Sequence, residues 1–459
     1  MKRAHLLFVH ELRGLGLLAG PIIVNQLGHI GMNTADTIMV GPLGAESLAA
    51  TGLGGALQHF VLYLATGVVM GMAPLVSQSY GAGDQGECRR VYVQGSWLAI
   101  ALSIPVALFC LAGGSTATLL GQDPAVVALT GGYMRALALG ILPALLFVAT
   151  RQYLEGMGHT TAPMVVTFLG LGLNIVANQA LIHGVGDWIP ALGVVGTGWA
   201  TTLVRTAMFL AIFIFLAAHR SLYPLHDVRI RPERGRMRRI LRIGGPVGAQ
   251  FGLEVGLFSL AAVMMGLLGA VELAAHQVTI SIAATTFMFG LGASIAGSIR
   301  VGHHIGAGRT RAVRRAVVAT YLMSVGLMLC CAIAFILAPR FLLGLYTPHR
   351  DVIDVGVPLI LVAAAFQLFD GAQVAGMCVL RGAADTRGPM LIAALGYWCI
   401  GLPIGYVLAF GRGMGPVGVW IGLSAGLAAV ALLLVVRVRR VLWSGNIQRD
   451  ATQVALVGG

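Results

Sequence analysis

Twelve apolar stretches, each long enough to cross a bilayer as a helix, take up most of this chain. They run at about 14–39, 48–76, 91–115, 125–149, 161–184, 191–217, 243–268, 274–299, 317–339, 355–379, 390–411 and 416–438. A bilayer core needs about 20 apolar residues per helix, and lipid offers no partner to an unpaired backbone group. The runs are long and lack strict alternation, which argues against a transmembrane β-barrel. Only 10% of residues are charged, against about 25% in a soluble domain. The expected fold is therefore all-α and membrane-spanning. The opening MKRAHLLFVHELR is mixed and basic and leads into a true span, so no cleavable signal is predicted.

The runs fall into two sets of six. Gly20-Pro21 recurs as Gly245-Pro246, Leu43-Gly44-Ala45 as Leu268-Gly269-Ala270, and Gly81-Ala82-Gly83 as Gly306-Ala307-Gly308, all at an offset of 225. Leu154, Gly156, Thr160 and Pro163 match Leu380, Gly382, Thr386 and Pro389 at 226, and Gly193 and Gly196 match Gly415 and Gly418 at 222. Six spans is an even number, so the two repeats should be parallel, with substrate sites between them near mid-membrane. The predicted organisation is a six-helix lobe over 1–218, a basic connection over 219–242, a second six-helix lobe over 243–440 and a tail over 441–459.

The net charge of +13 reads as membrane topology and not as a nucleic-acid footprint. With both termini cytoplasmic, the inside loops hold Arg89, Arg90, Arg151, the 220–242 cluster, Arg300, Arg309, Arg311, Arg314, Arg315, Arg381 and Arg387. The outside loops hold Arg340, Arg350 and Arg412; Arg135 and Arg205 fall within spans four and six. The six cysteines lack ligand spacing, and His303-His304 lies in a loop without partner ligands, so no metal site is expected. The absence of GxxxxGK[ST] argues against ATP drive, and the absence of HExxH or a nucleophile–base set argues against an enzyme.

Three carboxylates sit inside the apolar runs: Asp36, Glu254 and Asp370. The other acidic residues lie in or near polar connections. A carboxylate in a spanning helix costs roughly 2.5–3.5 kcal/mol on insertion scales, so it usually faces a cavity and carries a function. Such a group can take up a proton or join an oxygen cage around an alkali ion. Gln250 and Phe258 lie four residues either side of Glu254, on its helical face, and an aromatic face attracts cations. Phe366 precedes Asp370 by one turn and Gln373 follows it. In span one, Gln26, His29, Asn33 and Asp36 form a polar stripe, and in span five Asn174 and Asn178 share a face from which they could bond Asp36 or an ion. Tyr133 and Thr197 are weaker candidates. Pro21 and Pro246 permit a kink in the first span of each lobe, a natural gating element.

On these features the chain resembles the multidrug and toxic compound extrusion (MATE) family, and its NorM-type branch in particular. The resemblance covers nearly the whole chain: six plus six spans, the basic central loop, Pro21 followed by Asp36 and Val40-Gly41, and the repeated Gly-Ala-Gly after spans two and eight. It implies that Glu254 and Asp370 are the cation-binding pair of the C-terminal half. It also implies that Asp36, Asn174, Asn178, Thr197 and Tyr133 are the polar group of the N-terminal half. Phe366 stands where some NorM-type proteins have a tyrosine, and Asn178 where some archaeal, proton-linked members have an aspartate.

The family implies a monomeric antiporter of the bacterial inner membrane. It would export lipophilic organic cations and drugs in exchange for sodium, or protons, with no cofactor and with membrane lipids as its surroundings. The alternative is a lipid-linked oligosaccharide flippase of the related superfamily, which Arg135 and Arg205 favour and the acidic intramembrane charge disfavours.

Overall fold

A computed structural model describes residues 2–186, 188, 190–219 and 230–443, with side chains from Leu6 onward. Among the described residues there is no β-strand. The first half comprises α1 (Lys2–Val40), α2 (Ala45–Val69), α3 (Met72–Gly81), α4 (Gln85–Leu111), α5 (Gly113–Leu119), α6 (Pro124–Ala138), α7 (Ile141–Gly156), α8 (Thr161–His183) and α9 (Gly193–Ala218). The second comprises α10 (Arg234–Leu268), α11 (Ala270–Gly306), α12 (Thr310–Leu337), α13 (Pro339–Gly344), α14 (Arg350–Gly382), α15 (Arg387–Ala394), α16 (Leu402–Tyr406) and α17 (Gly415–Trp443). π-helical stretches, Leu395–Gly401 and Val407–Gly411, flank α16 and join it to α15 in one span, Arg387–Gly411. Among the described residues, eleven helical spans are long and apolar enough to cross a membrane, and α6 with α7, bent by 47°, makes a twelfth if the pair counts as one span.

Local chemistry sets the helix ends. Asp84 caps α4 by accepting the Glu87 amide, and Asp123 caps α6 by accepting the Ala125 amide, with Pro124 at the first helical position. The turns after α3 and α11 need the left-handed region, and Gly83 (φ 81°) and Gly308 (φ 67°) supply it at the repeat offset. After α7 and α14 the same conformation falls on Gly158 (φ 89°) and on Ala384 (φ 62°), again repeat mates. The repeat is thus written in the backbone as well as in the side chains.

The chain divides into two compact units that interleave in sequence. One holds Val24–Val76 and Asp84–Gly248; the other holds Met1–Ile23, Ser77–Gly83 and Ala249–Gly459. Helices α1 and α10 each contribute to both, and each changes unit two residues after its internal proline, Pro21 or Pro246. Within the unit containing Val24, the first turns of α10 press on α2. A methyl at Gly67 would come within 2.5 Å of the Gly248 Cα, and one at Gly244 would overlap the Val68 carbonyl. Small residues let helix backbones approach this closely in a membrane. Within the other unit, Leu15, Ala19 and Ile22 of α1 pack with Ala293, Ala296 and Ile299 of α11. A larger core there gathers Leu257, Met265, Phe335, Leu359, Tyr397 and Trp420.

Helix α10 begins at Arg234, well before the expected start at 243. The 220–229 part of the basic connection and residues 444–459 of the expected tail lie outside the described residues.

Candidate functional site

In the unit containing Ala249, α14 carries Asp370 at 6% exposure. Tyr397 donates its hydroxyl to Gln373 Oε1 at 2.7 Å, and Gln373 Nε2 donates to Asp370 Oδ1 at 3.1 Å. Tyr397 comes from a π-helical stretch, whose wider turn sets the register of its side chain. Glu254, on α10, is half-buried and makes no hydrogen bond or ion pair among the described residues. Its charge acts on Asp370 and on Tyr397, and Arg381 acts on it through space. Two carboxylates that feel one another, with no cation bonded to either, favour the uptake of a positive charge.

The neighbours predicted for this pair take different roles. Gln250 is buried and donates to Met377 Sδ at 2.7 Å. Phe258 is partly buried against the core. Phe366 is buried and meets Trp420 edge-on at 5.7 Å.

In the other unit Asp36 accepts from Asn174 Nδ2 at 2.9 Å, Asn178 Nδ2 at 2.6 Å and Thr201 Oγ1 at 3.4 Å. The carbonyl oxygens of Asn174 and Asn178 and the hydroxyl of Thr197 are buried without a hydrogen-bond partner. Arg205, partly buried on α9, acts electrostatically on Asp36 and Tyr133, and Tyr133 is buried. Asp36 therefore sits in a hydrogen-bonded cluster of polar side chains.

Several residues take places other than those expected. The polar stripe of α1 is shifted: Asn25, not Gln26, is buried, and its Nδ2 donates to Thr167 at 3.0 Å. Arg151, expected in an inside loop, lies buried on α7 and bonds Asn25 and His29. Glu11 and Glu155, expected in or near connections, are buried within α1 and α7. Arg381, expected in an inside loop, is buried in the last turn of α14. Arg135 is exposed and bonds the carbonyl of Gly131. Thr201 and Tyr397 are the site residues that sequence reasoning missed. Thr201 follows Thr197 by one turn, a signal available in the sequence, whereas nothing local marks Tyr397.

The MatE family model matches residues 21–179 and 246–407. The chain is 37% identical over 441 residues to "Probable multidrug resistance protein NorM" of Bradyrhizobium diazoefficiens, covering 94% of this chain and 93% of that protein. It is 35% identical to "Multidrug resistance protein NorM" of Burkholderia vietnamiensis, covering 91% of each. Among solved structures, the eukaryotic MATE transporter AtDTX14 superposes with a TM-score of 0.86 at 21% identity, covering 98% of this chain and all of that one.

Proposed function

The chain belongs to the MatE family, and from that premise we propose that it is a secondary multidrug antiporter exporting lipophilic organic cations and other drugs in exchange for sodium or protons. The observation that carries this reading is the pair Glu254 and Asp370, electrostatically coupled and without a bonded cation among the described residues. The named relatives are multidrug resistance proteins.

The mechanism is competition. In one state the protein takes up a drug from the cytosol or inner leaflet. In the other an external cation binds Glu254 and Asp370, weakens drug binding and releases the drug. A ligand shifts such an equilibrium only by its differential affinity for the two states. Gln373 and Tyr397 hold Asp370 in place for that event. Asp36, with its two asparagines and Thr201, is the polar station of the other unit. Pro21 and Pro246, each two residues from a change of unit along its helix, are the kinks through which the first helix of each half bends. We place both termini in the cytoplasm on the distribution of the arginines, assign the protein to a bacterial inner membrane on its NorM relatives, and take it as a monomer as the family resemblance implies.

The test is efflux from proteoliposomes with sodium and pH gradients imposed separately. Drug export should follow one of the two gradients, and Glu254→Gln and Asp370→Asn should abolish that dependence while leaving a folded, monodisperse protein. Gradient-driven export at the wild-type rate by either variant would overturn the reading.

A further inference from the structure

The repeat pairs individual positions as well as helices. At its offsets of 225 and 226, Asn25 is the mate of Gln250 and His29 of Glu254, while Ala144 is the mate of Asp370, Arg151 of Met377 and Glu155 of Arg381. The structure supports this register independently. Arg151 Nη1 donates to Asn25 Oδ1 at 3.1 Å, and at the mated positions Gln250 Nε2 meets Met377 Sδ at 2.7 Å. The surroundings of Glu254 therefore have a counterpart in the other unit, centred on His29.

That counterpart carries a positive charge of its own. The guanidinium of Arg151 is 8% exposed, lies 3.2 Å from His29 Nε2 and approaches Glu155 at 4.0 Å, and its Nε has no hydrogen-bond partner. Both carboxylates of the Glu254 station are missing from it, replaced by His29 and Ala144. At Glu254, the carboxylate feels that of Asp370 and a single guanidinium, Arg381, acts on Glu254, which leaves a deficit of one positive charge. At His29, two guanidiniums, Arg151 and Arg205, act on the imidazole, and Glu155 answers Arg151, which leaves no deficit. A site with a deficit of positive charge draws a mobile cation; one without a deficit holds no such attraction.

We propose that Arg151 is a resident cation: its guanidinium takes, in this unit, the place that an exchangeable cation takes at Glu254, so only one of the two repeat-related stations can trade ions. The proposal rests on the reading of Glu254 and Asp370 as the coupling station. It makes the asymmetry of the repeats functional, since a tethered charge cannot be released to either side.

The test transplants the C-terminal residues. Purified His29→Glu/Arg151→Met is titrated with radioactive sodium, and with protons using an indicator dye, beside wild type, Glu254→Gln and the triple variant. The double variant should hold twice the saturable cation of wild type, and the added cation should persist in the triple variant. A wild-type count in a monodisperse double variant that still binds drug would overturn the proposal. A wild-type count in Glu254→Gln alone would overturn the coupling-station reading instead. Should the double variant not fold, Arg151→Ala carries the test. Methylguanidinium should raise its melting temperature and methylurea, of the same shape without the charge, should not; an equal effect of the two would overturn the proposal.

Discussion

Arg300 grips Glu11 through two hydrogen bonds of 2.8 Å, one from Nε and one from Nη2, so the early half of α1 is fastened to α11 by a bidentate pair. His304 adds a contact at 3.1 Å. The repeat mate of Glu11 is Arg236, and it makes the same kind of grip with reversed sign: its Nε and Nη2 bond Glu87 at 3.1 and 3.0 Å. The first helix of each half is thus anchored near its start by an ion pair, acidic on α1 and basic on α10.

Removing one partner of a buried pair strands the other charge, at a cost of about 3 kcal/mol. Glu11→Gln should therefore lower the melting temperature in detergent clearly. The swap Glu11→Arg/Arg300→Glu should recover a substantial part of the loss. An Arg300→Glu single variant should be worse than either, because it sets two carboxylates face to face.

Adjacent glycines on α10 provide a matched pair. A Cβ at Gly244 would overlap the Val68 carbonyl, whereas one at Gly245 meets nothing within 4 Å. Gly244→Ala should destabilise by about 2 kcal/mol or more through overpacking. Gly245→Ala should be neutral or stabilise by up to about 1 kcal/mol, because alanine favours helix. Thermal melts of the two variants, recorded side by side, check the contrast.

Ala384 sits at φ 62°, a conformation its repeat mate Gly158 adopts at no steric cost. For an L side chain that region costs roughly 1–2 kcal/mol. Ala384→Gly should raise stability by about 1 kcal/mol, part of the gain being offset by the greater freedom of glycine in the unfolded chain. A higher melting temperature with unchanged transport is the expected result.

Tyr397→Phe removes the hydroxyl that holds Gln373 beside Asp370. The buried Gln373 oxygen then lacks its donor, a loss of about 1–2 kcal/mol. Transmitted to the carboxylate, a loss of about 1.4 kcal/mol weakens cation affinity about tenfold. The sodium or proton concentration for half-maximal efflux should shift accordingly, while the amount of folded protein stays near wild type.

The sequence makes Glu254, Asp370 and Asp36 visible because a carboxylate inside an apolar run contrasts with everything around it. Asn174 and Asn178 are visible for the same reason, their four-residue spacing placing them on one face, and the structure brings both to Asp36. Arg151 escapes because it lies in the last turns of α7, past the expected end of its span at 149, where an arginine looks like an ordinary loop charge. Tyr397 escapes because its role depends on a π-helical register that no residue pattern announces. The packing of Phe366 on Trp420 is not legible, because an aromatic one turn from a carboxylate looks the same in sequence whatever its ring meets. The division of α1 and α10 between units is invisible for a further reason: it is made by contacts between segments far apart in the chain, and a local hydrophobic pattern carries no information about them.

The interleaving has a consequence for biosynthesis. Leu15, Ala19 and Ile22 leave the ribosome long before Ala293 and Ile299, the surfaces they finally cover. The glycine face of α2 likewise waits for Gly244 and Gly248. Neither bundle can close while only the first half of the chain has entered the bilayer. Two halves synthesised as separate polypeptides would each lack an arm, and would become complete only by lending that arm to one another.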